Sequence, residues 1–402
     1  MKNDTRVDRW GVLSLALSRG VTNIPIVVLG LVLIEIANTF DVSVGMAGQL
    51  TTAFSIVAIL FSLIMGILAV RFDHRKLLLL GLGLYVVVAA AVYLVGSFPL
   101  LLLILGLSGV ATAVVISMPN ALIGELLPVE RRTGAYGITL VVVALMFLFG
   151  APATDMISSN YGWRSAMLWV MTPITLLTLG MVAWKIPKGA NVVSSSGSLS
   201  EVLSGLKEVA KSTSALACLI GTILGMATFN VFLVYGASFW RQVYSVSSSF
   251  VSLVIIFAST SYIVGCVVTA PLTNRLGRKP LTVASTIACA IFTIAAINSP
   301  DIWWSIFFSL TGCLAGGIMG TVSTSLTAEQ LPKQVGAMMS AHSAAINMGA
   351  MVASIIGGFV IVSFGYSIFG IVMGGAGVLG ALVFQWLSVD PTKPRVAKRS
   401  PP

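Results

Sequence analysis

Runs of eighteen or more predominantly apolar residues recur from Trp10 to Leu387, and twelve of them can be drawn. Each is long enough to cross a hydrocarbon core of about 30 Å as a helix, which rises about 1.5 Å per residue. Lipid offers no water to satisfy backbone polar groups, so a chain of this kind must pack helix on helix. The expected spans are 10–36, 49–70, 77–97, 99–124, 134–157, 163–184, 213–239, 249–272, 280–298, 302–327, 336–362 and 366–388. Composition points the same way: 57% of residues are hydrophobic and 9% charged, against about 25% charged in a soluble domain. The fold class expected is all-α integral membrane.

A net charge of +10 invites a nucleic-acid reading, and the positions of the basic residues exclude it. Of 23 Lys and Arg, 20 fall in the termini or in alternate loops, all on one side once the spans are drawn. By the positive-inside rule that side is cytoplasmic, so both termini are expected there. Arg164 and Arg241 sit at the opposite face, and Arg19 alone falls inside a span. The N-terminal MKNDTRVDRW lacks a small-residue cleavage site, so the first apolar run is expected to be a retained helix. Cys218, Cys266, Cys289 and Cys313 lie within apolar runs rather than at metal or disulfide spacing, and read as packing residues. No metal or cofactor is expected. The spans hold no HExxH, GxSxG or phosphate-binding loop, so no enzyme is expected either.

Most connections are short, except KIPKGANVVSSSGSLSEVLSGLKEVAKS at 185–212, a Gly- and Ser-bearing linker. It divides the chain into six-span halves, 1–184 and 213–388, with a tail at 389–402. Within it Ser198 and Glu201 are placed to form a capping box, and Leu199, Val202, Leu203, Leu206 and Val209 share one helical face. A short helix on the membrane surface and a solvated linker are both open there. The halves carry a repeat. VRFDHRKLLL at 70–79 faces NRLGRKPLTV at 274–283, and ELLP at 125–128 faces EQLP at 329–332. Arg71 and Arg275, Glu125 and Glu329, and Pro128 and Pro332 are each 204 residues apart, and Gly162 and Gly365 are 203 apart. Two pseudo-symmetric six-helix units with a solute site between them are the architecture of one transporter class.

The loop after the second span sharpens this. Gly66, Leu68, Ala69, Arg71 and Arg75 match the opening glycine, the Leu-Ala pair and the arginines of the pattern G-x-L-A-D-R-x-G-R-[RK], and Asn274, Arg275, Gly277 and Arg278 form a second copy. From about residue 10 to 388 the chain resembles the major facilitator superfamily, most closely its twelve-helix drug:proton antiporter branch. It departs from that branch in having Leu105 where an arginine is usual and Ala151 between Gly150 and Pro152. The resemblance implies secondary transport by alternating access in the plasma membrane, as a monomer, with a small-molecule solute, the lipid bilayer and a proton as partners. Proton-coupled efflux is the leading expectation. Proton-coupled uptake of a small organic anion, and a transport-inactive sensor of the same fold, are the alternatives.

Site candidates follow. In the loops, Arg71 and Arg75 with Glu125, and Arg275 and Arg278 with Glu329, are expected to latch the cytoplasmic face in one state of the cycle. An ionisable group inside a membrane is costly, so Arg19, about 15 Å along the first helix, is the first candidate for a solute contact. It would favour an anion, pair internally, or snorkel to the surface if the helix begins later. Asn23 lies one turn on, where Gly20 and Pro25 loosen the helix. The resemblance implies that the first, fourth, seventh and tenth spans line the cavity, adding Asn120, Asn230 and Tyr235. Proton-coupling candidates are Asp155, Glu35 and His342; Asp155 is alternatively expected to pair with Arg164 across the SSNYGW turn.

Overall fold

The computed structural model describes residues 8–127, 129–187, 207–331 and 335–390. The first span is two helices, Arg9–Val21 and Ile24–Phe40. The second to sixth are Gln49–Arg71, His74–Tyr93, Phe98–Leu126, Val129–Tyr161 and Trp163–Lys185. The seventh is again in two pieces, Thr213–Val234 and Gly236–Val243. The eighth to tenth are Ser248–Leu276, Arg278–Ile297 and Ile302–Ala328. The last helical stretch, Val335–Leu387, has 53 residues. At about 1.5 Å per residue that is more than twice the thickness of a bilayer core. It turns at Gly365, φ 79°, and so supplies the eleventh and twelfth spans. The result is a bundle of twelve transmembrane helices, and an even number of crossings returns the chain to the face on which it began. We call this the terminal face and its opposite the far face.

Local chemistry explains the breaks. Pro25 has no N–H to offer the Val21 carbonyl, so the first span loosens at Thr22 and Asn23. The Thr22 hydroxyl and Asn23 Nδ2 turn back to the Arg19 carbonyl, at 2.7 and 3.5 Å. Asp8 caps the start of this helix by accepting from the Gly11 N–H at 2.8 Å. Gly162 and Gly365, a repeat pair in the sequence, both hold positive φ, 83° and 79°, at the turns into the sixth and twelfth spans. A side chain at either would be strained there.

The first span packs on the fourth, fifth and sixth, and the second on the fourth. The seventh packs on the eleventh and twelfth, the eighth on the tenth, and the ninth on the tenth. Between the first six spans and the last six, the second meets the eleventh, the fifth meets the eighth and the first meets the seventh. Tyr85, Tyr235, Phe369 and Phe384 are among the largest fully buried side chains. Leu80, Phe149, Val267 and Phe359 point outward as a lipid-facing surface requires, and Trp184, Trp303 and Trp386 sit exposed at span ends, where indole rings favour the membrane interface.

In the linker, 188–206, with Ser198 and Glu201, lies outside the described residues, and 207–211 is helical. Val209 is buried against Ala215 and Met338, so this end docks on protein instead of lying on lipid.

Candidate functional site

Arg19 stands about a third of the way along the first span, in the last turn of its first helical piece. The helix begins at Arg9, capped by Asp8, so ten residues precede Arg19. Its neighbour Gly20 faces the fifth span, where an added Cβ would lie 2.9 Å from Val142 Cγ1. Arg19 itself is half-buried, with part of its surface open to water-sized space. Its nearest polar partners are local. Nη1 reaches the Thr22 hydroxyl at 3.4 Å, and Asn23 Nδ2 donates to the same oxygen at 3.2 Å. Tyr85 of the third span lies within electrostatic reach of Arg19, and its hydroxyl is bonded to Thr112 of the fourth span. Among the described residues no carboxylate pairs with Arg19.

A second group of polar contacts lies at the far face. Arg241, on the short second piece of the seventh span, pairs with Glu35 at 2.7 Å and donates to the Leu31 carbonyl at 3.3 Å, both on the first span. Asp155 of the fifth span accepts from the Ser248 hydroxyl at the start of the eighth. Gln49 Nε2 donates to the Ser354 carbonyl at 3.0 Å, and the hydroxyls of Thr52 and Ser354 lie 2.6 Å apart, joining the second span to the eleventh. The Tyr235 hydroxyl donates to the Ser354 carbonyl at 2.9 Å and approaches the Gly45 carbonyl at 3.4 Å. Glycines permit this approach: a Cβ on Gly358 would sit 2.7 Å from Gln49 Nε2. Among the described residues, every hydrogen bond and ion pair between the first six spans and the last six belongs to this far-face seal.

A twelve-helix bundle whose halves are tied at one face is a shape that comparison can test. The sequence profile of the Major Facilitator Superfamily matches residues 12–268 and 217–402, nearly the whole chain. The chain belongs to the Major Facilitator Superfamily. A chloramphenicol resistance protein from Streptomyces lividans is 25% identical over 327 residues, 79% of this chain and 80% of that one. Among solved structures, a D-xylose-proton symporter superposes with a TM-score of 0.78 at 15% identity, covering 94% of this chain and 97% of that one. A mutant of the nucleoside transporter NupG gives 0.74 at 13% identity, over 93% and 99%. A bacterial homologue of the human lysosomal transporter Spinster gives 0.73 at 17% identity, over 97% and 100%. These likenesses carry the fold, and family membership makes the protein a transporter and not an enzyme.

In this superfamily member the two copies of the loop motif face the terminal side. Gly66 and Arg71 end the second span, and Asn120 and Glu125 lie in the fourth; beyond their helical backbone these four fall outside the described residues. Arg75 is buried, and its Nη2 donates at 2.6 Å to the Ala183 carbonyl in the last turn of the sixth span, the negative end of that helix. Asp73 caps the third span, accepting from the Arg75 and Lys76 N–H groups at 2.8 and 3.2 Å. The acid displaced within the motif therefore has a capping task. In the second copy Arg278 pairs with Glu329 at 3.2 Å, joining the start of the ninth span to the end of the tenth, while Asn274 and Arg275 lie toward the surface. Gly277, φ 85°, makes the turn.

One expectation needs correction, and three other candidates are buried in this structure. Asp155 and Arg164 do not pair: Arg164 donates to the Val95 carbonyl at 3.1 Å and lies over the Trp163 ring at 4.6 Å, leaving Asp155 to the eighth span. The sequence turn that separates them aims them at different neighbours. Tyr235, expected at the solute, is fully buried with its hydroxyl engaged in the far-face seal. Asn230 is buried, with Nδ2 donating to the Met226 carbonyl of its own helix at 2.8 Å. His342 is buried too, with Nε2 3.0 Å from the Thr324 hydroxyl of the tenth span. The seal itself escaped the sequence reading, because Gln49, Thr52 and Ser354 are ordinary polar residues until the fold brings them together.

Proposed function

We propose that this transporter is a secondary active carrier that exports a small organic solute by alternating access, against entry of protons. In this reading residues 1–184 and 213–388 are two rocking halves joined by the linker 185–212. The terminal face is cytoplasmic because it carries 20 of the 23 basic residues. The protein would lie in the plasma membrane with both termini inside, acting as a monomer. The observation that carries the proposal is the far-face seal: among the described residues the ties between the halves lie at one face, which suits a carrier whose solute path is open to the other. The resistance protein from Streptomyces lividans supports export as the direction.

Glu35 and Asp155 are the coupling candidates that the geometry favours. Both carboxylates tie the halves together, so a proton arriving from outside would weaken the seal it meets. His342 lies within the last six spans and touches no such tie. The loop arginines act on the opposite face, where Arg75 and the Arg278–Glu329 pair hold neighbouring helices of one half together as the halves move. The test is proton movement in proteoliposomes loaded with a pH-sensitive dye. Adding chloramphenicol or a small organic acid should release protons across the membrane in wild-type vesicles and much less in Glu35→Gln or Asp155→Asn vesicles. Solute flux that ignores the pH gradient in wild type would end the antiport reading.

A further inference from the structure

We propose that the solute carries one negative charge, a carboxylate or a group of similar size and charge, that is taken up by Arg19, and that the rest of the solute is neutral. This deepens the transport reading above and rests on it. The argument is one of charge balance. A guanidinium cannot shed its proton at any physiological pH. At about 15 Å from the start of its helix it lies within an apolar span, among buried neighbours, where an unpaired charge is strongly disfavoured. Some partner must compensate it for at least part of the cycle.

Among the described residues the protein supplies no carboxylate partner for Arg19. The chain has 13 acidic residues, and each lies in a terminus, a loop, or the first or last two turns of a helix. Along this span Asp8, eleven residues back, caps the helix and is engaged by Lys185, and Glu35, sixteen residues further on, is engaged by Arg241. Asp155 is engaged by Ser248, and Glu329 by Arg278. Neutral partners do not fill the gap either: the Thr22 hydroxyl stands at a long 3.4 Å from Nη1 and already gives its proton to the Arg19 carbonyl. Asn23 adds another donor, its Nδ2, to the same few ångströms. A cluster rich in N–H donors with part of its surface open is complementary to an anion.

The charge count also limits the ligand from the other side. Within the last six spans the charged residues, Arg241, Arg275, Arg278, Lys279, Asp301 and Glu329, all sit at helix ends, and the interior of those helices is neutral. A dianion would leave one charge uncompensated, and a zwitterion would bring a cation that meets no carboxylate. A monoanion with a neutral body satisfies both halves.

The experiment uses the purified full-length protein in a Tris sulfate buffer, whose anion is a dianion, and matched probes: benzoate, salicylate and naphthoate, each against its neutral amide. A ligand that binds the native state raises the melting temperature by mass action. The acids should raise it and the amides should not. Arg19→Gln should lose the shift while melting no lower than wild type, because the variant removes an uncompensated buried charge. Arg19→Lys should keep a weaker shift, since lysine retains the charge and loses the planar fork. Equal shifts from acid and amide, no shift from any acid, or an undiminished shift in Arg19→Gln would each overturn the proposal. A lower melting temperature for unliganded Arg19→Gln would do so as well, by revealing an internal partner. Chloride in place of sulfate separates sources: if chloride alone reproduces the shift and the acids add nothing, the site holds an inorganic ion and the organic monoanion is refuted. Failure of transport looks different. Acids that bind through Arg19 and yet never cross a proteoliposome would remove the transport reading and leave the anion site standing.

Discussion

At the scale of single residues, the most informative pair is Glu35 with Arg241. Both side chains are partly open, with relative accessibilities of 34% and 20%, so solvent screens the pair and its worth is about 1 kcal/mol or less. Glu35→Gln or Arg241→Gln should therefore reduce the preference for the far-face-closed state by up to about fivefold, and added salt should shrink the difference. Spin-label distances between the ends of the first and seventh spans would read the population. The swap of Glu35→Arg with Arg241→Glu should recover the closed state, and a swap no better than the singles would show that the contact is incidental. A second pair marks the other face. Asp8 receives a hydrogen bond from Lys185 Nζ at 2.8 Å, which holds its carboxyl below the ordinary value of 3.8. A depressed pKa contributes stability that is present above the ordinary value and is lost as pH falls through the folded one. A spin label beside Asp8 should thus gain mobility only in strong acid. In Asp8→Asn, which keeps the helix cap and removes the charge, that pH dependence should vanish. Sequence made Arg19, Glu35 and Asp155 legible because a charge in an apolar run stands out. It could not make Tyr235 legible as a seal residue, because a tyrosine near a helix end looks the same whether its hydroxyl meets solute or a neighbouring carbonyl.

At the scale of elements, the apolar runs located the spans to within a few residues, since lipid thickness fixes how long each must be. The eleventh and twelfth were expected to part between 362 and 366, and the chain turns at Gly365. What periodicity could not foresee were the interruptions that carry function. The seventh span breaks at Tyr235, and the short helix beyond it carries Arg241 to the first span. Pro25 breaks the first span beside Arg19, and here a prediction follows from the missing N–H. Pro25→Ala restores a donor for the Val21 carbonyl and should stabilise the continuous helix by up to about 3 kcal/mol, the usual penalty of an interior proline. Thr22 and Asn23 would then lose their reason to turn back on the Arg19 carbonyl. The variant is expected to melt at a higher temperature and to transport more slowly. A gain in stability with undiminished flux would show that the break is not part of the cycle.

At the scale of the whole molecule, the ties among the described residues between the first six spans and the last six form a seal at one face, and the proposed alternating access requires that this seal come apart once per turnover. The contact between the second and eleventh spans is the best place to test that requirement, because Thr52 and Ser354 are both buried and their hydroxyl oxygens are 2.6 Å apart. Such an approach brings two side chains within reach of a disulfide. The double variant Thr52→Cys with Ser354→Cys, oxidised, should fall to background flux and regain activity when reduced. The native cysteines do not complicate the result: all four lie in the last six spans, and three of them are buried. The locked protein should still bind its solute from the terminal face, because Arg19 lies in the first span, away from the cross-link, so the melting shift with benzoate should survive oxidation while transport does not. A cross-linked protein that still turned over would mean that the second and eleventh spans never separate. The far-face contacts would then be a permanent hinge, and the opening would have to be sought in the fifth and eighth spans, where Asp155 meets Ser248.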